Sequence, residues 1–471
     1  MENYTLLCDF YELTMANGYY LCGKKDEVAY FDLFYRKNPD FGGFAIAAGL
    51  EQVINYVKNL HFTPENIDFL RKKGQFSEDF LQYLRDFRFT GDIWAVPEGT
   101  PVFPNEPILT VRAPAIEAQF IETYLLLAVN HQTLIATKAN RIARAAKGRA
   151  VMEFGTRRAQ GASAAVLGAR AAYIGGVRKT ACTLAEEQFG IPAVGTMAHS
   201  WIQMFESEYE AFLTYCKTYP NNATLLVDTY NTLESGIPNA IRAFKETGLT
   251  DCAIRIDSGD LAYLSRKARK MLDEAGLTEC RIVVSNSLDE RLIGKLIEQG
   301  ACIDAFGVGE RLITAKSDPV FGGVYKLVAV EQSDGAIIPK IKISDNPEKV
   351  TNPHFKKVWR LYEDGKAVAD LLTLHDERVE TDRPLEIFDP QYTWKRKTLT
   401  DFEAKELLVP IFRGGELVYQ SPTLPEIAVY CDAQVTLQWD EVKRFDNPHN
   451  YYVDLSQNLW DLKHDLLKEK R

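Results

Sequence analysis

Arg255-Ile256-Asp257-Ser258-Gly259-Asp260, followed by the helix-compatible run Leu261 to Ala275 and by a second apolar run ending at Val284, decides the fold. An apolar strand that closes on polar residues and passes straight into a helix is half of a βαβ unit. The pattern repeats outward from there. Apolar strand candidates end near Phe154, Val194, Val227, Ile256, Val284, Val308 and Val330, and Leu288 to Gln299 offers another crossover helix. Alternation at this pitch implies parallel strands joined by helices. About seven strands fit an irregular parallel α/β barrel better than an open doubly wound sheet.

On either side of this centre the texture changes. Thr63-Pro64-Glu65 and Ser77-Glu78-Asp79 combine a capping hydroxyl with first-turn acids and mark helix starts. Trp94 to Val96, Val102-Phe103 and Ile108 to Val111 are short strands between Pro- and Gly-bearing turns, and a long helical pattern then runs from Ala115 to Ala146. Beyond Val330 the chain loosens into Pro- and Asp-rich turns. The expected organisation is an N-terminal α+β domain over 1–120, the barrel over 121–335, and a C-terminal segment over 336–471 packing with the N-terminal domain.

Composition excludes several classes. The 471 residues are 46% hydrophobic and 25% charged, an ordinary globular balance, and the formal net charge is -10. Acidity argues against nucleic acid or an anionic membrane as partner, since both favour clustered Lys and Arg. Eight scattered cysteines form no C-x-x-C pair, so reduced thiols are expected rather than a thiolate metal site. Met1-Glu2-Asn3-Tyr4 lacks the basic-then-apolar layout of a secretory signal, and no apolar run is long enough to span a bilayer. A soluble, cytoplasmic protein is the expectation.

The polar clusters of the centre fall just after expected strands, and in a parallel α/β fold those strand ends share the ligand-binding face. They are Glu153 to Arg158, Gly195 to Ser200, Asp228-Thr229-Tyr230, Arg255 to Asp260, Ser285-Asn286-Ser287 and Gly307-Val308-Gly309. Arg255 and Asp257, two apart on a strand, point the same way. A buried Arg-Asp pair is costly unless well bonded, which favours function over architecture, with ligand as the main partner of Arg255. Ser258 or Asp260 caps the helix beginning at Leu261. Arg157 suits a carboxylate or phosphate, and Phe154 can stack a flat ring. His199 alone reads as structural; in a cleft, a neutral imidazole is a base or nucleophile. No second His or Cys at ligand spacing supports a metal role for it.

Taken in order, these segments closely resemble the nicotinate phosphoribosyltransferase family. The matching stretches are Asp9 to Ala16, Phe41 to Phe44 with Ala48-Gly49-Leu50, Glu153 to Gly161, Gly195 to Ser200, Asp228 to Ala240, Arg255 to Leu261, Val283 to Glu290, Val324 to Val330, and Asn447-Pro448-His449 through Tyr452 to Leu455. The resemblance implies a type II phosphoribosyltransferase: an irregular α/β barrel beside a domain of N- and C-terminal segments, in a homodimer with shared active sites. It implies formation of nicotinate mononucleotide and pyrophosphate from nicotinate and phosphoribosyl pyrophosphate, a step of NAD biosynthesis coupled to ATP. Mg2+ is expected on the substrate phosphates rather than on a side-chain motif.

Carried over residue by residue, Tyr11 and Phe154 would cover the pyridine ring, and Arg157, Thr196 and Arg255 would surround nicotinate. His199 would take phosphate from ATP. Asp257, Ser285, Asn286, Gly307 and Gly309 would line the ribose and phosphates, with Asp228 and Asp9 as further contributors. Two positions depart from the pattern: Glu310 stands where relatives carry a phosphate-contacting Thr, and Arg178-Lys179 where an acidic residue is frequent. A nicotinamide-using relative, a quinolinate-using relative that needs no ATP, and a non-catalytic nucleotide sensor are the competing expectations.

Overall fold

Residues 135–319 alternate short apolar strands with amphipathic helices, and the strands pair in parallel. The computed structural model describes residues 3–469; Met1-Glu2, part of the segment considered as a signal, and Lys470-Arg471 lie outside the described residues. Six strands form a curled half-barrel in the order Lys179–Thr180, Ala150–Glu153, Ala305–Val308, Arg281–Ser285, Cys252–Ile256, Ala223–Leu226. Ile254, Ile256, Val284, Phe306 and Val308 are fully buried, as strands covered on both faces require. The irregular α/β barrel is therefore the observed fold of this unit.

Two expected strands behave otherwise. The run ending at Val194 makes only an isolated parallel bridge, Ala193 to Thr180, and Pro192 just before it has no N–H to extend a ladder. The run ending at Val330, strand Gly323–Glu331, lies antiparallel along Val28–Tyr35. It thus belongs to the other compact unit, which comprises the chain up to Leu134 and from Val320 onward. The division falls at 134 and 319 rather than at 120 and 335, because strand pairing and the first turns of helix Glu122–Ala145 hold those segments to the outer unit.

That outer unit is α+β and draws on both chain ends, as expected. Its seven-stranded sheet interleaves strands from before and after the barrel: Ile337–Pro339, Gly323–Glu331, Val28–Tyr35, Leu109–Pro114, Asp92–Ala95, Val409–Arg413, Glu416–Leu417. A four-stranded sheet pairs Lys356–Glu363 with Lys366–Leu374 and ends on Tyr452–Leu455. Helix starts follow the local chemistry. Thr63 forms a capping box with Asn66, and Ser77 accepts from the Phe80 N–H. All eight cysteines are free. Among the described residues no helix is long and apolar enough to cross a membrane.

Candidate active site

The strand ends of the 135–319 unit bring most of the expected residues together around Arg255. Its Nε donates to Ser285 Oγ at 2.9 Å, Nη1 to Thr196 Oγ1 at 3.2 Å and Nη2 to Asp257 Oδ1 at 3.0 Å. The guanidinium carbon sits 5.5 Å from the Phe154 ring centre, within cation–π range. Ser285 also donates to Asp257. The prospect of ligand as the main partner of Arg255 is corrected here: three protein acceptors hold its fork before any ligand arrives. The pair is not sealed, with Arg255 16% and Asp257 34% exposed.

Asp228 buttresses this cluster. Its Oδ2 accepts from the Asp257 N–H at 3.0 Å and from Ser258 Oγ at 2.6 Å, so the helix cap falls to Asp260, which accepts from Tyr263 N–H at 2.9 Å. Asp228 Oδ1 is buried without a hydrogen-bond partner. The loop holding Asp228 and Thr229 is shaped by Gly236 in the π-helical turn Thr232–Gly236, where a Cβ would lie 1.8 Å from the Val227 carbonyl oxygen. Thr229 then reaches His199: Oγ1 and Nδ1 are 3.0 Å apart. In the tautomer whose Nδ1 donates to that hydroxyl, Nε2 keeps a free lone pair. Thr229 stood in a sequence cluster without a role; the contact depends on two loops 30 residues apart.

Phe154 is held from both sides. Gly307 faces its ring, where a Cβ would come within 2.5 Å of Cδ2, and Gly309 faces its carbonyl oxygen. Glu153, buried beneath, accepts from the Gly155 N–H and, at 2.7 Å, from Thr180 Oγ1; burial raises its carboxyl above the usual range. Arg157 and Arg158 follow on an exposed 3-10 turn. Asn286 and Ser287 adopt φ of 103° and 46°, a conformation costing non-glycine residues about 1–3 kcal/mol. Two anchors keep this loop in place: Asp289 pairs with Arg311, just past the Gly307–Gly309 turn, and Glu290 is buried against Lys138 and Arg141. These anchors escaped the sequence reading, since nothing local marks such partners.

The departures are also placed. Glu310 pairs with Lys316 at 2.9 Å, which holds its carboxyl below the usual range and offsets its charge toward an anion. Arg178 donates to the Tyr173 carbonyl and lies over that ring at 5.2 Å, at the end of helix Ala162–Ile174. Tyr11 and Asp9 belong to the other unit. Tyr11 is 43% exposed on helix Phe10–Leu21, so the 135–319 unit alone does not supply it. Among the described residues no three His, Cys, Asp or Glu side chains gather as a metal site.

Sequence comparison decides the family. The model for the nicotinate phosphoribosyltransferase family matches residues 149–373, that for its N-terminal domain 6–130 and that for its C-terminal domain 355–463. The chain belongs to the nicotinate phosphoribosyltransferase family. A nicotinate phosphoribosyltransferase of Bacillus subtilis is 46% identical, covering 99% of this chain and 96% of its own. One of Homo sapiens is 30% identical over 98% of this chain and 96% of its own. The crystal structure of human nicotinic acid phosphoribosyltransferase matches at TM-score 0.86 with 28% identity, covering 98% of this chain and 100% of that one.

Proposed function

We propose that the protein joins nicotinate to phosphoribosyl pyrophosphate, giving nicotinate mononucleotide and pyrophosphate for NAD biosynthesis, and couples this to ATP through a phosphohistidine at His199. The observation that carries the reading is the Arg255 fork, shared among Thr196, Asp257 and Ser285 and lying over Phe154. A flat ring bearing a carboxylate fits a face that offers an aromatic and a guanidinium together. Phe154 stacks the pyridine, Arg255 and Arg157 meet the carboxylate, and Thr196 orients it. Tyr11 of the partner subunit closes the other ring face in a homodimer.

The pyridine nitrogen attacks the ribose anomeric carbon as the bond to pyrophosphate breaks, and the leaving group carries off the electron pair. Asp257 and Ser285 bind the ribose side, and the loops at Asn286, Gly307 and Gly309 present backbone N–H groups to the phosphates. Magnesium would supply charge neutralisation for the leaving pyrophosphate, and Asp228, whose buried Oδ1 has no hydrogen-bond partner, is the side chain that would hold it. His199 Nε2, freed by the Thr229 contact, attacks the terminal phosphorus of ATP and expels ADP. Water later cleaves the phosphohistidine.

Nicotinate turnover measured with and without ATP, beside labelling by γ-labelled ATP, tests this. Turnover stimulated by ATP and label lost in His199→Ala are expected. A preference for nicotinamide, or equal rates without ATP, would favour the amide-using or quinolinate-using chemistry. Absence of both label and turnover would favour a nucleotide sensor.

A further inference from the structure

The unit built from both chain ends holds a cavity of about 1350 Å³, larger than the ~300–1,000 Å³ typical of small-molecule sites. Its lining follows from simple periodicity. On strand Val28–Tyr35, alternation puts Asp32 and Phe34 on one face, and Arg36 continues that face past the strand end. Helix Gln457–Glu469 contributes Lys463, His464 and Leu467 from one side. The family-like stretch Asn447 to Leu455, for which the reaction above has no use, lines the same space. The hairpin of strands Leu385–Phe388 and Arg396–Leu399 adds Tyr392 and Lys395.

The charges in this cavity are unevenly matched. Lys356 is neutralised by Asp32 at 2.7 Å, and Arg444 meets Glu441 at 3.5 Å. Arg36, by contrast, makes no hydrogen bond or ion pair among the described residues. Its Nε is buried without a hydrogen-bond partner, the Phe34 ring lies 5.5 Å away, and the acid acting on it is Glu348, which lines the same cavity without pairing with it. Lys463 donates to the neutral Asn352 Oδ1 at 2.8 Å, and Lys395 lies over the Tyr392 ring at 4.4 Å. Cations withdrawn from water ordinarily keep an acid beside them. Burial holds Arg36 below its usual range; burial with Lys356 nearby brings Lys463 down to about 8. Asp454, elsewhere in the cavity lining, is pushed up to about 7 by burial and by Asp389.

We propose that this cavity is a second ligand site, which binds a small molecule bearing phosphate groups between Arg36 and Lys463, with Lys395 as an outer contact. The fork of Arg36 suits phosphate oxygens, and an anion supplies the direct ion pair that Arg36 and Lys463 both lack among the described residues.

The test uses the full chain with pyridoxal 5′-phosphate, a phosphate-bearing aldehyde that forms an imine with an unprotonated lysine, fixed by borohydride and located by peptide mass spectrometry. Lys463 is expected to label more heavily than exposed lysines such as Lys58, and inorganic pyrophosphate is expected to protect it. In Arg36→Gln the half-protecting pyrophosphate concentration should rise about tenfold, the loss of one charge-assisted contact. Calorimetry on Lys463→Gln gives an independent arm: one class of pyrophosphate site should vanish while nicotinate turnover persists. Ordinary labelling of Lys463, no protection in the unmodified chain, or unchanged protection in Arg36→Gln would each overturn the proposal.

Discussion

The two units each hold an Arg-Asp pair, and the pairs differ in what surrounds them. In the outer unit Arg360 and Asp370 face each other across adjacent strands, both 0% exposed, with two parallel hydrogen bonds of 2.8 and 2.6 Å. Pro101 O and Tyr451 OH complete the arrangement, and Phe103 and Tyr451 close over the guanidinium. In the barrel unit Arg255 and Asp257 stand two apart on one strand end, joined by a single 3.0 Å contact and left partly open. Arg360 is walled in, its Nε and Nη2 bonded and its Nη1 buried without a partner. Arg255 spreads its donors over three acceptors from three segments and keeps a face toward an aromatic ring. The same two residue types therefore form a closed lock in one place and an open network shared among three segments in the other.

That contrast can be broken most forcefully at the closed pair. Arg360→Ala strands a fully buried carboxylate and should cost about 3–5 kcal/mol of stability, read from denaturant midpoints, with the KM for nicotinate of the folded fraction unchanged. Arg255→Ala should instead lower kcat/KM by about 10²–10³-fold with only a small fall in Tm. Severe unfolding with normal residual turnover in Arg255→Ala would erase the distinction. Thr229→Val should slow labelling of His199 roughly tenfold, the worth of one orienting hydrogen bond, while leaving the melting temperature in place. Asn286→Gly relieves a left-handed backbone and should raise stability by about 1 kcal/mol while lowering turnover.

The smallest effect is a slope in pH. Asp454 holds its proton up to about pH 7 in the folded chain but releases it near 4 when unfolded. The folded state thus carries the extra proton between those values, and this contribution to stability falls as pH rises through that window. Asp454→Asn should flatten that slope in thermal melts between pH 4 and 7; an unchanged profile would remove Asp454 as its source.

Much of the barrel unit was legible because its signals are local. Apolar runs of four or five residues ending in Gly, Ser or Asp announce parallel strands, and Arg255-x-Asp257 fixes by alternation that both side chains share a face. The family itself was legible for a related reason, since its motifs are continuous stretches. Where the local signal was ambiguous, the expectation slipped. Gly323–Glu331 has strand character that fits either sheet, and only its register against Val28–Tyr35 assigns it to the outer unit.

The sequence by itself therefore determined the βαβ alternation, the helix caps at Thr63 and Ser77, the two-ended outer domain and the residue types of the site. Tertiary structure alone decided which partners those residues meet. Thr229 against His199, Glu290 against Lys138 and Arg141, and Arg360 against Asp370 join positions separated by 30, about 150 and 10 residues. It also decided that Arg36 and Lys463 line one cavity without a direct ion pair among the described residues. The physical reason is that periodicity and capping act within a turn or two of chain, whereas charge pairing and enclosure depend on distances through space that no local pattern encodes.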